Sequence, residues 1–543
     1  MNLSILRCLV VYCSIQLTEN HIVVRKIITT FTASSDPLFV LIKSLTKSEK
    51  RQFKLYVGRI GGNSDAKFLQ LFELMDKMKS YDETIILQRG IVTKTQISNL
   101  KAHLYKQLLI SLRLTPSHQN IRVQIREQLD FATILYQKGL YKQSLKLLEK
   151  AKSMALDNEE KNIAYEIVEL EKVIETQYIT RSLETRADEL TDQARALSQQ
   201  NVLTSKLSNL SLQLYGMMLK TGYVKSDTEL KEVQAFFEMA LPEYRLQDLG
   251  FREKLWLFKA HLWYSFLIQD FLSCYKYAQR WVRLFDETPG MIKQNPVFYL
   301  KGLHYLLESL YYLKHDSKFK KALDKLESLK QDPKFPKADN HETLLFLYIN
   351  SNRFNHRFMI GNFEGGQPLV DTVLEGIKSP KYRIDQHHVM VFYYKIASLY
   401  FGAGDNDKCI QYASKIITNS SLKTRQDLMC FARILNLVAH YEAGKDYHLE
   451  ALLRSTYKFL IKMDDLHEVQ KEMIKFVRRL GDIYPHELKR EFIALHKTLK
   501  TYENDPYERR AFLYLDLLSW LESKIENRPV AAVIQEKAKV LIR

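Results

Sequence analysis

Apolar residues in this chain recur at intervals of three and four, the period of helices buried along one side. From Asp65 to Lys79 they fall at Phe68, Leu71, Phe72 and Met75, which predicts an amphipathic helix. The clearest stretch is Met390 to Ser421, MVFYYKIASLYFGAGDNDKCIQYASKIITNSS, which predicts two helices turned at Gly404-Asp405. Its small residues Ala397, Cys409 and Ala413 stand where two helices must cross closely, since a crossing point excludes large side chains. Related helix-turn-helix phrases begin near Ile125, Leu255 and Leu303. Repetition of this kind predicts a stacked array that binds rather than catalyses.

Ordered structure is expected to begin at Asp36-Pro37, an N-cap residue followed by a favoured first helical residue. Thr46 and Glu49 have the spacing of a capping box before a second apolar run. Gly61-Gly62-Asn63-Ser64 reads as a turn, and a further helix covers Thr95 to Leu114, stopped by Pro116. Residues 36–115 thus form a helical block without the repeat phrase. Residues 1–35 are β-branched and poorly patterned, which reads as a disordered extension or an overcalled translation start. The array occupies 116–475, with long Gly- and Pro-free helices between Leu156 and Gln200. It is broken most strongly at Gln331 to Lys337 and Gly361 to Gln367. Residues 476–543 continue as helices and a cap, with turns at Asp505-Pro506 and Asn527-Arg528-Pro529 and a final helix from Val530.

From Ile125 onward these phrases resemble the tetratricopeptide-repeat family, whose unit is a pair of antiparallel helices of 34 residues in all. Small residues at the family's small positions carry the likeness: Ala132, Ser144 and Ala151, then Cys274, then Ala322, then Ala397 and Cys409, while Ala413 and Ile416 reverse the family's large-small order. Trp281 departs from it, being large where the family is small. The unit starts, 125, 255, 303 and 390, also do not follow a 34-residue period. The block SLTKSEKRQFKLYV, Ser44 to Val57, resembles the N-terminal region of uncharacterised bacterial helical-repeat proteins, which implies a bacterial, cytoplasmic protein. The implied fold is all-α, an α-solenoid of tetratricopeptide-like helical hairpins behind an N-terminal helical block. In that family the first helix of each unit lines a concave groove. The resemblance places Arg126, Leu129, Thr133 and Tyr136 there from the first unit, and Trp256, Lys259, Trp263 and Phe266 from the second. The third gives His304, Leu307, Tyr311 and Lys314, and the fourth Val391, Tyr394, Ser398 and Phe401. The aromatic and basic members, Trp256, Lys259, Trp263, Phe266, Tyr311, Tyr394 and Phe401, form the expected partner groove. The Lys and Asn pairing by which chaperone-binding members hold a C-terminal carboxylate is absent.

Composition agrees with long helices and short connections. Glycine (18) and proline (12) are scarce in 543 residues, well below the usual combined ~12%. The net charge of +17 is uneven. Residues 1–115 carry 17 Lys/Arg against 8 Asp/Glu, whereas residues 157–200 carry 5 against 11. Lys43, Lys47, Lys50, Arg51 and Lys54, at spacings near three and four, mark a candidate anion-binding face on one helix. Five cysteines, Cys8, Cys13, Cys274, Cys409 and Cys430, show no CxxC spacing, which suits a reducing compartment. No apolar run of membrane-spanning length occurs. Leu3 to Leu17 is interrupted by Arg7 and Gln16 and lacks a small-x-small site, which reads against a secretory signal. Tyr12 before Cys13 reads against a lipoprotein site.

A search for chemistry finds no phosphate loop, no GxGxxG, no GxSxG and no HExxH. His387-His388 are adjacent, about 100° apart on a helix. His440 and His448 straddle Gly444 without ligand spacing, and Asp464-Asp465 reads as a helix-terminal pair. No catalytic, cofactor-binding or metal-binding residue is assigned. The expectation is a non-catalytic scaffold that binds a protein or peptide. The alternative is a nucleic-acid-associated regulatory protein that uses the basic block.

Overall fold

The computed structural model describes residues 36–59, 67–115, 120–177, 185–419, 426–462, 468–479, 486–509, 511–512 and 516–541. The extension 1–35 with Cys8 and Cys13, the turn at Gly61–Ser64, Pro116, Asp464-Asp465 and the side chain of His448 lie outside the described residues. Among those residues every regular element is helical, so the chain is all-α. It divides into two compact units, residues 1–128 and 129–543.

The first unit holds helices Pro37–Ser44, Lys47–Arg59, Lys67–Lys77, Glu83–Gln88 and Ile97–Arg113. Asp36 accepts hydrogen bonds from the amides of Leu38 and Phe39, capping the first helix as its sequence requires. Thr46 and Glu49 close the reciprocal box: the Thr46 amide donates to Glu49 Oε2 (2.7 Å) and the Glu49 amide to Thr46 Oγ1 (3.2 Å). Ile42, Phe53, Leu71, Phe72, Met75, Ile86 and Leu104 fill the interior.

The second unit is built from helical hairpins with one turn geometry. At Gly139, Glu159, Gln269, Lys314, Gly404 and Gly444 the backbone takes a positive φ, from 54° to 79°. At each, the next amide bonds back across six residues, as in Leu140 to Leu135 and Asp405 to Tyr400. A new helix starts two residues after the positive φ. This is the Schellman stop, which satisfies the last carbonyls of the first helix and reverses the chain at once. Three of the six turns lack the glycine that favours left-handed backbone, so a glycine search passes over them.

From Phe251 the pairs follow one another: Phe251–Leu267 with Phe271–Glu287, Pro296–Tyr312 with Asp316–Ser328, Asp339–Ile360 with Gln367–Lys378, Gln386–Gly402 with Asn406–Ile417, and Gln426–Glu442 with Asp446–Lys462. First helices begin at 251, 296, 339, 386 and 426, intervals of 45, 43, 47 and 40 residues. The near-regular period appears once Asp339–Lys378 is counted as a hairpin. Gly361–Gln367, a break in the sequence pattern, is the turn inside it. From Pro296 on, the first helix of each pair packs on the first helix of the next. The second helix of several pairs also touches the following first helix.

Small residues make the crossings close. Ser144 Oγ donates to the Ala132 carbonyl at 2.7 Å. Ala132, Ala151, Cys274, Ala278, Ala397, Cys409 and Ala413 are fully buried. Trp281 is also fully buried, and Gly302 on the next helix makes room for it.

Before these hairpins, Lys161–Gln177 and the 36-residue helix Arg186–Thr221 pack together, and the latter packs along Phe251–Leu267. Glu253, buried, accepts from Lys161 (3.1 Å) and from Thr204 Oγ1 (2.8 Å), which ties the three helices.

Candidate interaction surface

The first helices carry aromatic residues seven apart, hence nearly in line on one face. Trp256 and Trp263 form one such column on Phe251–Leu267. Phe298, Tyr305 and Tyr312 form the next on Pro296–Tyr312. The columns mesh: Trp256 meets Phe298 edge-on at 5.7 Å between ring centroids, and Trp263 meets Tyr305 at 5.2 Å. On its other side Trp263 contacts Tyr215 of the long helix at 4.8 Å. Tyr215, Trp263 and Tyr305 thus make a ladder across three helices. His304 extends it by stacking on Tyr348 at 4.3 Å. Such edge and offset contacts add to area burial and hold the rings in fixed orientation.

Lys259 sits in this aromatic surface. Its Nζ lies 3.9 Å from the centroid of Trp256, 4.9 Å from Phe298 and 5.8 Å from Trp281. Among the described residues it has no carboxylate in ion-pair range. Burial, with the charge of Lys301 adding to it, lowers its pKa to about 7. A second lysine, Lys395, is brought to about 8 by burial, with Glu308 opposing. Its ammonium donates to Asn355 Oδ1, Asn355 donates to Asn352 (3.4 Å), and Asn352 meets His304 Nδ1 (3.3 Å). This face therefore combines aromatic area with several cations and few anions.

Of the groove residues read from the repeat resemblance, Trp256, Lys259, Trp263 and Tyr311 are partly exposed. Phe266, Tyr394 and Phe401 are buried, at 3%, 7% and 7% exposure, so they pack rather than offer surface. Tyr215, Phe298, Lys301, Tyr305 and Lys395 belong to the surface but escaped the sequence reading. The seven-residue aromatic spacing was the signal for Phe298 and Tyr305. Nothing local marks Tyr215 or Lys395.

The C-terminal segment lies over the turn edge of the same hairpins. Tyr507 donates to Asp227 Oδ1, and the Arg509 guanidinium donates to the Gln269 carbonyl while lying 5.2 Å over the Phe271 ring. Trp520 Nε1 donates to Glu442 Oε1 at 2.7 Å. Helix Val530–Leu541 packs on Asp339–Ile360, and Gln535 Nε2 donates to the Gly361 carbonyl at 3.0 Å.

In the first unit, much of the candidate anion-binding face is already engaged. Lys50 pairs with Asp76 and Lys54 with Glu73, both at 2.6 Å, and Lys43 donates to the Asp76 carbonyl. Lys50 and Lys54 clamp Lys47–Arg59 to Lys67–Lys77, and Lys43 ties Pro37–Ser44 to the same helix, while Lys47 and Arg51 are exposed. His388 Nδ1 lies 2.7 Å from Asp385 Oδ2. That bond first, with His387 and His388 charge adding, holds the Asp385 carboxyl at about 2. His440 Nδ1 is 2.8 Å from the Asn436 carbonyl. Among the described residues, no group of three or more His, Cys, Asp or Glu side chains is placed to hold a metal ion, and no helix is long and apolar enough to cross a membrane. Cys274 and Cys409 are buried free thiols, and Cys430 is buried.

Comparison with protein-family models, curated proteins and solved structures gives no match.

Proposed function

We propose that this chain is a non-catalytic, cytoplasmic protein-interaction scaffold. Its second unit is a tetratricopeptide-like α-solenoid with a unit longer than 34 residues, and it holds a partner on the face made by the first helices. The repeated turn geometry, the buried small residues at the crossings and, from Pro296 on, the packing of each first helix on the next support the solenoid reading. A bacterial origin follows from the Ser44–Val57 resemblance.

One observation carries the binding role. The ladder of Tyr215, Trp263 and Tyr305, with Trp256 and Phe298 beside it, surrounds Lys259, a cation without a carboxylate. A lysine held that way lowers stability unless it serves something else. Aromatic anchors beside uncompensated cations suit an acidic amphipathic helix or an extended acidic peptide, with its apolar side on the rings. The nucleic-acid reading has less support, because Lys50 and Lys54 are paired with carboxylates within their own unit.

The test is capture of partners by the full chain, followed by sequencing of the bound segment. Trp256→Ala and Lys259→Gln should each weaken capture of an acidic partner at least tenfold with the helical content unchanged. Undiminished capture by both variants removes the reading.

A further inference from the structure

Beneath the C-terminal segment lies a cavity of about 440 Å³, a size within the range of small-molecule sites. Its walls combine aromatic and aliphatic side chains with a few charged ones. Phe271 and Phe401 come from the hairpins, and Phe512, Leu518, Val530 and Ile534 from the segment that covers them. Hairpin and covering segment each supply part of the lining.

The charged residues of the lining divide unequally. Asp516 caps helix Leu517–Glu526 by accepting from the Ser519 amide and hydroxyl. Glu503 pairs with Lys500 at 2.8 Å, and Lys537 pairs with Glu522 at 2.7 Å. Arg509 and Lys314 remain. Arg509 gives one nitrogen to the Gln269 carbonyl and has no carboxylate in ion-pair range among the described residues. Its Nε is buried without a hydrogen-bond partner, as is Oγ of Ser398, another lining residue. Lys314 lies over the Tyr311 ring at 4.7 Å and, among the described residues, is likewise unpaired with any carboxylate. A half-buried guanidinium whose buried Nε is idle is costly unless something accepts from it.

We propose that this cavity is a binding site for a small amphiphile with one anionic head, of the class of a medium-chain carboxylate. The aliphatic body fills the space between Phe271, Phe401, Phe512 and Ile534. The carboxylate takes the charge and free donor of Arg509, with Lys314 adding attraction. Arginine suits the role because its planar fork can serve the Gln269 carbonyl and a carboxylate together. The bound molecule would join the covering segment to the hairpins beneath it. This site meets the aromatic surface at Tyr311 and Tyr312, but it lacks Trp256, Lys259 and Trp263 and does not depend on a protein partner.

The test uses the full chain with decanoate, decanol and decylamine, read by calorimetric titration. Decanoate should bind saturably, one per chain, and at least tenfold more tightly than decylamine. Arg509→Gln should cost decanoate tenfold or more while leaving decanol unchanged. Should Arg509→Gln fail to fold, Lys314→Gln, an exposed side chain, should weaken decanoate two- to threefold with the same selectivity. Ile534→Phe, which fills the cavity, should abolish binding of both decanoate and decanol. No saturable binding, equal affinity for the three head groups, or decanoate binding that survives Ile534→Phe overturns the proposal.

Discussion

The indole of Trp281 lies directly against Gly302: a β-carbon on that glycine would stand 3.1 Å from the ring. The two residues belong to neighbouring helices, Phe271–Glu287 and Pro296–Tyr312. A large side chain at a close crossing is thus matched by the absence of one across from it. Trp281 is fully buried and has little freedom to move aside. Gly302→Ala should therefore lower stability, although alanine in an ordinary helix gains up to ~1 kcal/mol over glycine. In a Trp281→Leu background the same change should raise stability. A double-mutant cycle by urea denaturation reads the coupling, expected at about 1–2 kcal/mol. Additive effects would show that the contact does not matter.

Glu253 should be indispensable to the join between three helices. It is buried and accepts from Lys161 and Thr204. Glu253→Ala leaves the mostly buried Lys161 ammonium with Glu159 alone, at 3.3 Å, for a loss of about 3 kcal/mol. Replacing both partners with methionine should restore much of it, because the desolvation of two charges disappears. A chemical denaturation series checks both. Equal losses in the single and double variants would contradict the assignment.

Two groups near the aromatic surface should make stability depend on pH in separate windows. The Lys259 pKa is lowered to about 7 by burial and Lys301, so the unfolded chain binds the extra proton between about pH 7 and its ordinary value near 10.4. Stability from this site rises with pH across that interval and is lost as pH falls toward 7. Lys259→Met should remove this dependence and raise stability at pH 7. His261 is held at about 4 by burial, with Lys276 and Arg280 adding. Its Nε2 has no hydrogen-bond partner, and its ring stacks on Tyr277 at 4.3 Å. It contributes stability above about pH 6.5 that is lost toward pH 4. His261→Phe should flatten the acid limb of the melting-temperature profile. An unchanged acid limb would remove His261 as its cause.

The sequence made the all-helical class legible, because burial on one side of a helix writes its period into the chain. Asp36, and Thr46 with Glu49, announced their helix starts through local hydrogen bonding, which needs no distant partner. The hairpin count was less legible for a local reason too. Glu159, Gln269 and Lys314 take the backbone conformation that glycine marks elsewhere, so half of the equivalent turns carried no signature. The aromatic surface was partly legible: Trp256, Lys259 and Trp263, named from the sequence, are partly exposed and lie together. Phe401 and Tyr394 face the interior, because neighbouring helices and the C-terminal segment cover that edge. Cover supplied by a segment a hundred residues away leaves no mark on local periodicity. The unpaired state of Lys259 was invisible for the same reason, being a property of what the other helices bring to it.

Gly361 should control how the last helix docks. Its φ of 67° is left-handed, and a β-carbon there would stand 2.9 Å from both the Ala531 carbonyl oxygen and the Gln535 amide nitrogen. These are backbone atoms of Val530–Leu541 and cannot rotate away. Gly361→Ala thus adds backbone strain of about 1–2 kcal/mol and forces the helix outward. The outward shift also stretches the Gln535 bond to the Gly361 carbonyl, 3.0 Å long in the docked state. The helix is short, and much of its buried surface comes from Val530, Val533 and Ile534, so this cost should undock it locally rather than unfold the unit. Amides of 530–541 should lose hydrogen-exchange protection by tenfold or more, while those of Pro296–Tyr312 keep theirs. Limited proteolysis should cut near Asn527-Arg528 earlier than in the parent chain. If Val530–Leu541 keeps its protection in Gly361→Ala, the docking does not depend on the close approach of these two backbones.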